Sequence, residues 1–251
     1  MKTDWSPVET ELERWRNQGL KLSFWWRDDD AVKPTTALDR LSDLSERLHV
    51  PVHLAVIPNH ATSALASLCS DALHLHPLVH GWAHANHAPE GSKKAEFGHA
   101  RPDILTDARA GLDRLQGLFG PSLVPVFVPP WNRVTDELIP DLAGASFKGI
   151  STFTPRDKRT PAPGLVQINT HIDPIDWRGG GGVVDKNQLV EHIVRLLKDR
   201  RMGQTDNGEP LGVLTHHLVH DEAIWAYVTE CLRVLLDGGA RPVEIADFLI
   251  M

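Results

Sequence analysis

Acidic and imidazole side chains recur in short clusters set far apart along this chain. They are Trp26-Arg27-Asp28-Asp29-Asp30, His80-Gly81-Trp82-Ala83-His84, Asp173-Pro174-Ile175-Asp176-Trp177 and Thr215-His216-His217, with Pro129-Pro130-Trp131 between the second and third. A hydrolytic metal centre needs such groups, because neutral imidazoles and carboxylates must converge on an ion beside a proton donor. The spacing of His80 and His84 puts both on one side of a helix, or lets a strand end and the following turn meet at one ion. Gly81 and Asn86 favour the turn, and His87 is a further candidate ligand. Three consecutive aspartates at a strand end are costly unless they are solvated, cap a helix or are neutralised by a cation. Strand alternation places Asp28 and Asp30 on one face and Asp29 on the other, and does not by itself choose a ligand.

The elements that must position these groups alternate. Ser6-Pro7-Val8-Glu9 reads as a helix start with Ser6 as its cap, and Gly19 as its stop. Strand-like runs are expected at 20–26, 52–57, 75–79, 123–128, 148–153, 165–169 and 211–215. Helices are expected over 34–48, 62–71, 103–118, 135–142, 186–198 and 222–236. Short apolar strands alternating with helices predict an α/β chain with parallel strands. Most of the clusters fall at or just after the C-terminal end of a strand, where barrels carry their chemistry, so a closed or incomplete barrel is favoured over an open sheet. Segments 87–97, 155–164 and 201–210 read as long loops. The run Gly179–Gly182 reads as a flexible loop, since it lacks the strand and helix context of a nucleotide-binding motif.

Composition sets outer bounds. With 251 residues, 41% of them hydrophobic, the chain suits one globular domain spanning residues 1–251. A formal net charge of -7 argues against a nucleic-acid backbone binder. Cys69 and Cys231 are too few for a disulfide framework and are expected to be ordinary thiols. No apolar leader or membrane span is visible, so a soluble, cytoplasmic protein without membrane partners is expected, its oligomeric state left open.

Taken in order, the clusters resemble the polysaccharide deacetylases of the NodB-homology type, carbohydrate esterase family four, over about residues 20–220. The resemblance implies a distorted (β/α)7 barrel and a divalent metal ion, zinc foremost. It implies Asp28 as catalytic base, Asp29, His80 and His84 as metal ligands, and Trp131 as pocket wall. Asp173 or Asp176, with Asp176 preferred, would support the catalytic acid His216. Trp82, Trp177 and Asn132 are further candidate contacts for a small-molecule or oligosaccharide substrate, since sugar rings pack on aromatic faces. The implied reaction is metal-assisted removal of an acetyl or related acyl group from an N-acetylated carbohydrate.

Three departures bear on these assignments. Asp30 stands where the family motif ends in glycine, so base and ligand could each shift by one residue. Val128 and Pro129 stand where an arginine that pairs with the base is expected, leaving Arg27 or Arg133 to replace it. His217 and His220 compete with His216 for the role of acid. A hydrolase of small cytoplasmic amides and a catalytically silent, carbohydrate-binding barrel are the alternative functions.

Overall fold

The structure, a computed structural model, describes residues 3–249. Seven parallel strands form a sheet in the order β6-β5-β4-β3-β2-β1-β7, with a short β8 beside β1. In chain order the elements are α1 (Ser6–Asn17), β1 (Ser23–Ala31), α2 (Thr36–Leu48), β2 (Val52–Val56), α3 (Ser63–Asp71), β3 (Leu75–His80) and α4 (Ile104–Phe119). Then follow β4 (Val126–Val128), α5 (Ile139–Gly144), β5 (Gly149–Ile150), β6 (Val166–Gln167), α6 (Lys186–Arg201), β7 (Leu211–Thr215), α7 (Glu222–Asp237) and β8 (Arg241–Pro242). The expected alternation of strands and helices is present. The first strand begins three residues later than expected and runs through all three aspartates. Helix α1 includes Ser6, and the Asp4 carboxylate accepts the Ser6 N–H and O–H. Thr35, Thr62 and Asp221 cap α2, α3 and α7 by accepting a backbone N–H, each worth about 1 kcal/mol.

Alternate residues of each strand divide the core in two. Trp25, Ala55, Leu78, Val126, Val128, Val166 and Ile168 pack together with Ile245, while Phe24, Trp26, Leu54, Val79 and Phe127 pack with the helix residues. The first set is the inside of the curled sheet and the second its outer face, as the period of two requires. β8 pairs with Ser23 and Phe24 at the start of β1, so Ile245 and its neighbours plug the end opposite the clusters.

The two edges of the sheet meet through the chain after β6. Ile172 bridges Val213 of β7, with the Ile172 N–H donating to Gly212 O at 3.1 Å and the Leu214 N–H donating to Ile172 O at 2.8 Å. Gly212 permits this approach: a Cβ there would lie 2.5 Å from Asn169 O and 2.6 Å from Thr170 Cα. A distorted, parallel-stranded (β/α)7 barrel results. Beside the seam, Glu209 is buried and its carboxylate accepts the N–H groups of Arg156 and Asn169. The His171 ring accepts the Gly212 N–H and faces Glu209 at 3.2 Å.

Two buried histidines give the fold an acid dependence. Burial, with the nearby His76, pushes His53 down to about 3; burial and the Arg200 guanidinium push His171 down to about 4, against the pull of Glu209. The His53 Nδ1–H donates to Trp26 O and its Nε2 accepts the Ile245 N–H, so a second proton has no place. A histidine with a lowered folded pKa is protonated more readily in the unfolded chain, so its contribution is present above about 6.5 and is lost as pH falls toward the folded value. Calorimetric melting from pH 7 to pH 4 should show stability declining below pH 6.5 by about 1.4 kcal/mol per pH unit for each of the two protons. A melting temperature constant down to pH 5 would contradict neutral, buried imidazoles. Both cysteines are buried and unpaired, their thiols pushed up to about 12, as expected of structural residues.

Candidate active site

A cavity of about 730 Å³ opens where the strands end, lined by Asp29, Asp30, His80, His84, Trp131, Asn132, Arg133, Phe153, Asp173, Ile175, Trp177, Arg178 and His216. Four of the seven non-glycine residues with positive φ among the described residues, Asp30, His84, Trp131 and Asn132, lie on its wall. Conformational strain is therefore concentrated here, as it is at functional sites.

β1 delivers its aspartates in three directions. Asp28 shares the outer face with Trp26 and is fully buried. Its carboxylate accepts the Thr215 hydroxyl at 2.6 Å and the His217 N–H at 3.0 Å, and contacts His217 Nδ1 at 2.5 Å. Burial alone would raise the Asp28 pKa, but His217 and these hydrogen bonds outweigh it and hold it low. Asp29 points inward, on the same face as Arg27 two residues before it, and the guanidinium meets its two oxygens at 2.9 and 3.0 Å. Arg27 also donates to Asn132 Oδ1 at 2.7 Å and Ser151 Oγ at 2.8 Å, so the buried cation has neutral acceptors beside its carboxylate partner. At Asp30 the strand bulges: Asp29 pairs with Ala55 and Ala31 with Val56, leaving Asp30 as the extra residue with φ 76°. Such a bulge re-aims a side chain, and aspartate tolerates the left-handed backbone.

The bulge carries Asp30 to the imidazoles. Its Oδ1 lies 3.2 Å from His80 Nε2 and 3.3 Å from His84 Nε2. Tetrahedral ligation with bonds of about 2.0–2.1 Å sets donor atoms about 3.3 Å apart, so both Asp30 separations match a zinc-like ion, and the three donor atoms lie within 4.8 Å of one another. Asp30 Oδ1 is buried without a well-aligned hydrogen bond among the described residues, as a metal-facing oxygen would be. The Nδ1–H of His80 donates to Val128 O at 2.9 Å, leaving Nε2 as the free lone pair. Burial alone would raise the Asp30 pKa, but the adjacent His80, with His216 and His84, holds it well below the carboxylate range. Burial and His80 together lower the pKa of His84. Both are thereby biased to the forms that bind metal.

Glu96 is buried and organises the loop of His84. Its carboxylate accepts the N–H groups of Trp82, Ala83 and His84 at 2.8–3.2 Å. A side chain at Gly81 would strike it, since a Cβ there would lie 2.3 Å from Glu96 Oε2. Four backbone or side-chain features thus fix His84: three N–H donors on Glu96 and the ring of Trp131, centred 4.2 Å away.

His216 lines the cavity with its Nε2 4.0 Å from Asp29 Oδ2. His217 is committed to Asp28, and His220 accepts the His216 N–H. Asp173 reaches the cavity, pinned by Trp177 Nε1–H at 2.9 Å and the Ile175 N–H at 3.0 Å; Trp177 meets the His216 ring edge to face at 4.8 Å.

Several sequence expectations land elsewhere. Asp28 is sealed outside the cavity, and Asp29 lies against Arg27 while Asp30 joins the imidazoles, a shift of one residue. Asp176 spends its carboxylate on the Arg178 and Gly179 N–H groups of its own turn, so Asp173 is the aspartate beside His216. Trp82 packs against the outer core, away from the cavity lining, whereas Trp131, Asn132 and Trp177 line it. His87 is exposed and lies outside the metal-capable group, and Arg133 donates to Lys94 O.

No family model and no curated protein matches the sequence. Solved structures do. A candidate polysaccharide deacetylase from Mycobacterium smegmatis aligns at TM-score 0.63 and 18% identity, covering 86% of this chain and 76% of its own. A CE4 esterase from Streptococcus mutans aligns at TM-score 0.59 and 14% identity, covering 92% and 88%. A CE4 family pseudoenzyme from Bacillus anthracis aligns at TM-score 0.58 and 15% identity, covering 91% and 66%. The fold is therefore that of the polysaccharide deacetylases and family 4 carbohydrate esterases, and the resemblance seen in the motifs extends to the architecture that carries them.

Proposed function

We propose that this chain is a metal-dependent hydrolase that removes an acetyl or related acyl group from an acylated amine or sugar. The observation that carries the proposal is the meeting, in one cavity, of a three-donor set with the ion-paired Asp29 and with His216. A divalent ion, zinc foremost, held by Asp30, His80 and His84 would supply Lewis-acid polarisation of the acyl oxygen and of the attacking water. Asp29 would take the proton from that water, with Arg27 holding its carboxylate ionised and in place. His216 would pass a proton to the leaving nitrogen or oxygen, its ring edge fixed by Trp177. Trp131, Phe153, Ile175 and Trp177 would shield the reaction from bulk water and pack on the substrate.

A catalytically silent barrel would have no need to keep Asp29, Asp30, His80, His84 and His216 together, which favours the enzyme. The test is release of acetate from a panel of N-acetylated sugars and small acetamides. Hydrolysis should disappear with a chelator and return with zinc. No hydrolysis across the panel by the zinc-loaded chain would favour the silent barrel, and hydrolysis confined to small acetamides would favour the amidohydrolase.

A further inference from the structure

Two cations of the cavity have no part in that chemistry. Arg133 and Arg178 both line it, and neither guanidinium lies within 4.0 Å of a carboxylate among the described residues. Arg133 donates to the Lys94 carbonyl, an acceptor that leaves its charge uncompensated. The cavity's carboxylates have other roles: Asp29 pairs with Arg27, Asp30 belongs to the donor set with His80 and His84, and Asp173 accepts the Trp177 and Ile175 N–H groups. In a chain of net charge -7, two arginines without acidic partners lining one cavity mark it as locally suited to an anion. A guanidinium matches carboxylate and phosphate oxygens in a planar fork. The backbone supports one of them, since the Asp176 carboxylate accepts the Arg178 N–H and fixes the turn from which that arginine projects.

We propose that the substrate carries an anionic group, a carboxylate or a phosphate, beside its acyl group, and that Arg133 and Arg178 hold it. This rests on the deacylase reading of the same cavity and adds the class of substrate. The apolar walls take the ring or chain, the metal-capable end takes the acyl group, and the two guanidinium groups select for negative charge.

The experiment compares N-acetylglucosamine, N-acetylglucosamine 6-phosphate and N-acetylmuramic acid by isothermal titration calorimetry and by acetate release. It uses the full chain, the single variants Arg133→Gln and Arg178→Gln, and the double variant. An anionic probe should bind at least about tenfold more tightly than the neutral sugar, and lose that advantage in the double variant and in high salt, with metal content unchanged. Preference between the phosphate and the carboxylate probe identifies the anion. Equal affinity for all three probes, no binding of either anionic probe, or an advantage that survives the double variant would overturn the proposal. Arginine-dependent binding without acetate release would sink the deacylase reading and keep the anion site. Release indifferent to charge and to both arginines would do the reverse.

Discussion

Asp29→Asn should lower kcat by about 10²- to 10⁴-fold, the usual contribution of a general base, while the chain still binds metal. Asparagine keeps the shape of the side chain and loses the ability to take a proton from water. The Arg27 guanidinium, buried and met by Asp29 at 2.9 and 3.0 Å, would then lack its counter-charge, so some stability should go as well. The decisive comparison is Asp28→Asn. Asp28 is sealed behind β1 on Thr215 and His217, so its substitution should cost stability, about 3 kcal/mol for breaking a buried pair, with a much smaller fall in kcat. Kinetics normalised to folded, metal-loaded protein separate the two. A fully active Asp29→Asn would remove the proposed base, and an Asp28→Asn that is stable but inactive would move the role back by one residue.

Loss of metal is the second large effect. Asp30→Ala, or His80→Ala with His84→Ala, should reduce the bound ion from about one per chain to background and take hydrolysis with it. The fall in affinity should exceed the 10- to 100-fold that loss of an outer partner typically brings. Elemental analysis and circular dichroism provide the check: the variants should remain folded, because the three ligands line the cavity and belong to neither apolar cluster of the core. Asp29→Ala, by contrast, should retain the ion. If Asp29→Ala lost the metal and Asp30→Ala kept it, the bulge would not have the role assigned to it.

The barrel was legible because apolar runs and helical stripes report directly on which residues must be buried. The pairing of His80 and His84 was legible because spacing alone brings them together near a strand end. Choosing among Asp28, Asp29 and Asp30 was not, since alternation assigns faces only until the strand becomes irregular. The bulge at Asp30 is set by the pairing of β1 with β2, a relation between residues more than twenty apart. One signal in the sequence does separate them: Arg27 and Asp29, two residues apart on a strand, share a face, so an arginine partner from β1 itself points to Asp29. The same distance from sequence hides Glu96, whose role depends on three N–H groups twelve to fourteen residues earlier. Likewise Asp173 and Asp176 differ only in which loop atoms claim them.

The joint where Ile172 meets Val213 gives the molecule a built-in unevenness. β1 shares runs of five paired residues with β2 and with β7, whereas here closure rests on a single bridge and the backbone bonds around Gly212. Segments held by few bonds open first, so amide hydrogens at 170–173 should exchange with solvent well before those of β1 and β2. Asp173, Ile175 and Trp177 follow directly in the chain, while Asp29 and His80 stand on paired strands, Asp30 on the bulge that β1 makes against β2, and His84 on the loop pinned by Glu96. Breathing would therefore be confined to the side that grips the substrate, so the mouth could widen for a bulky ligand while the reacting groups stay in register.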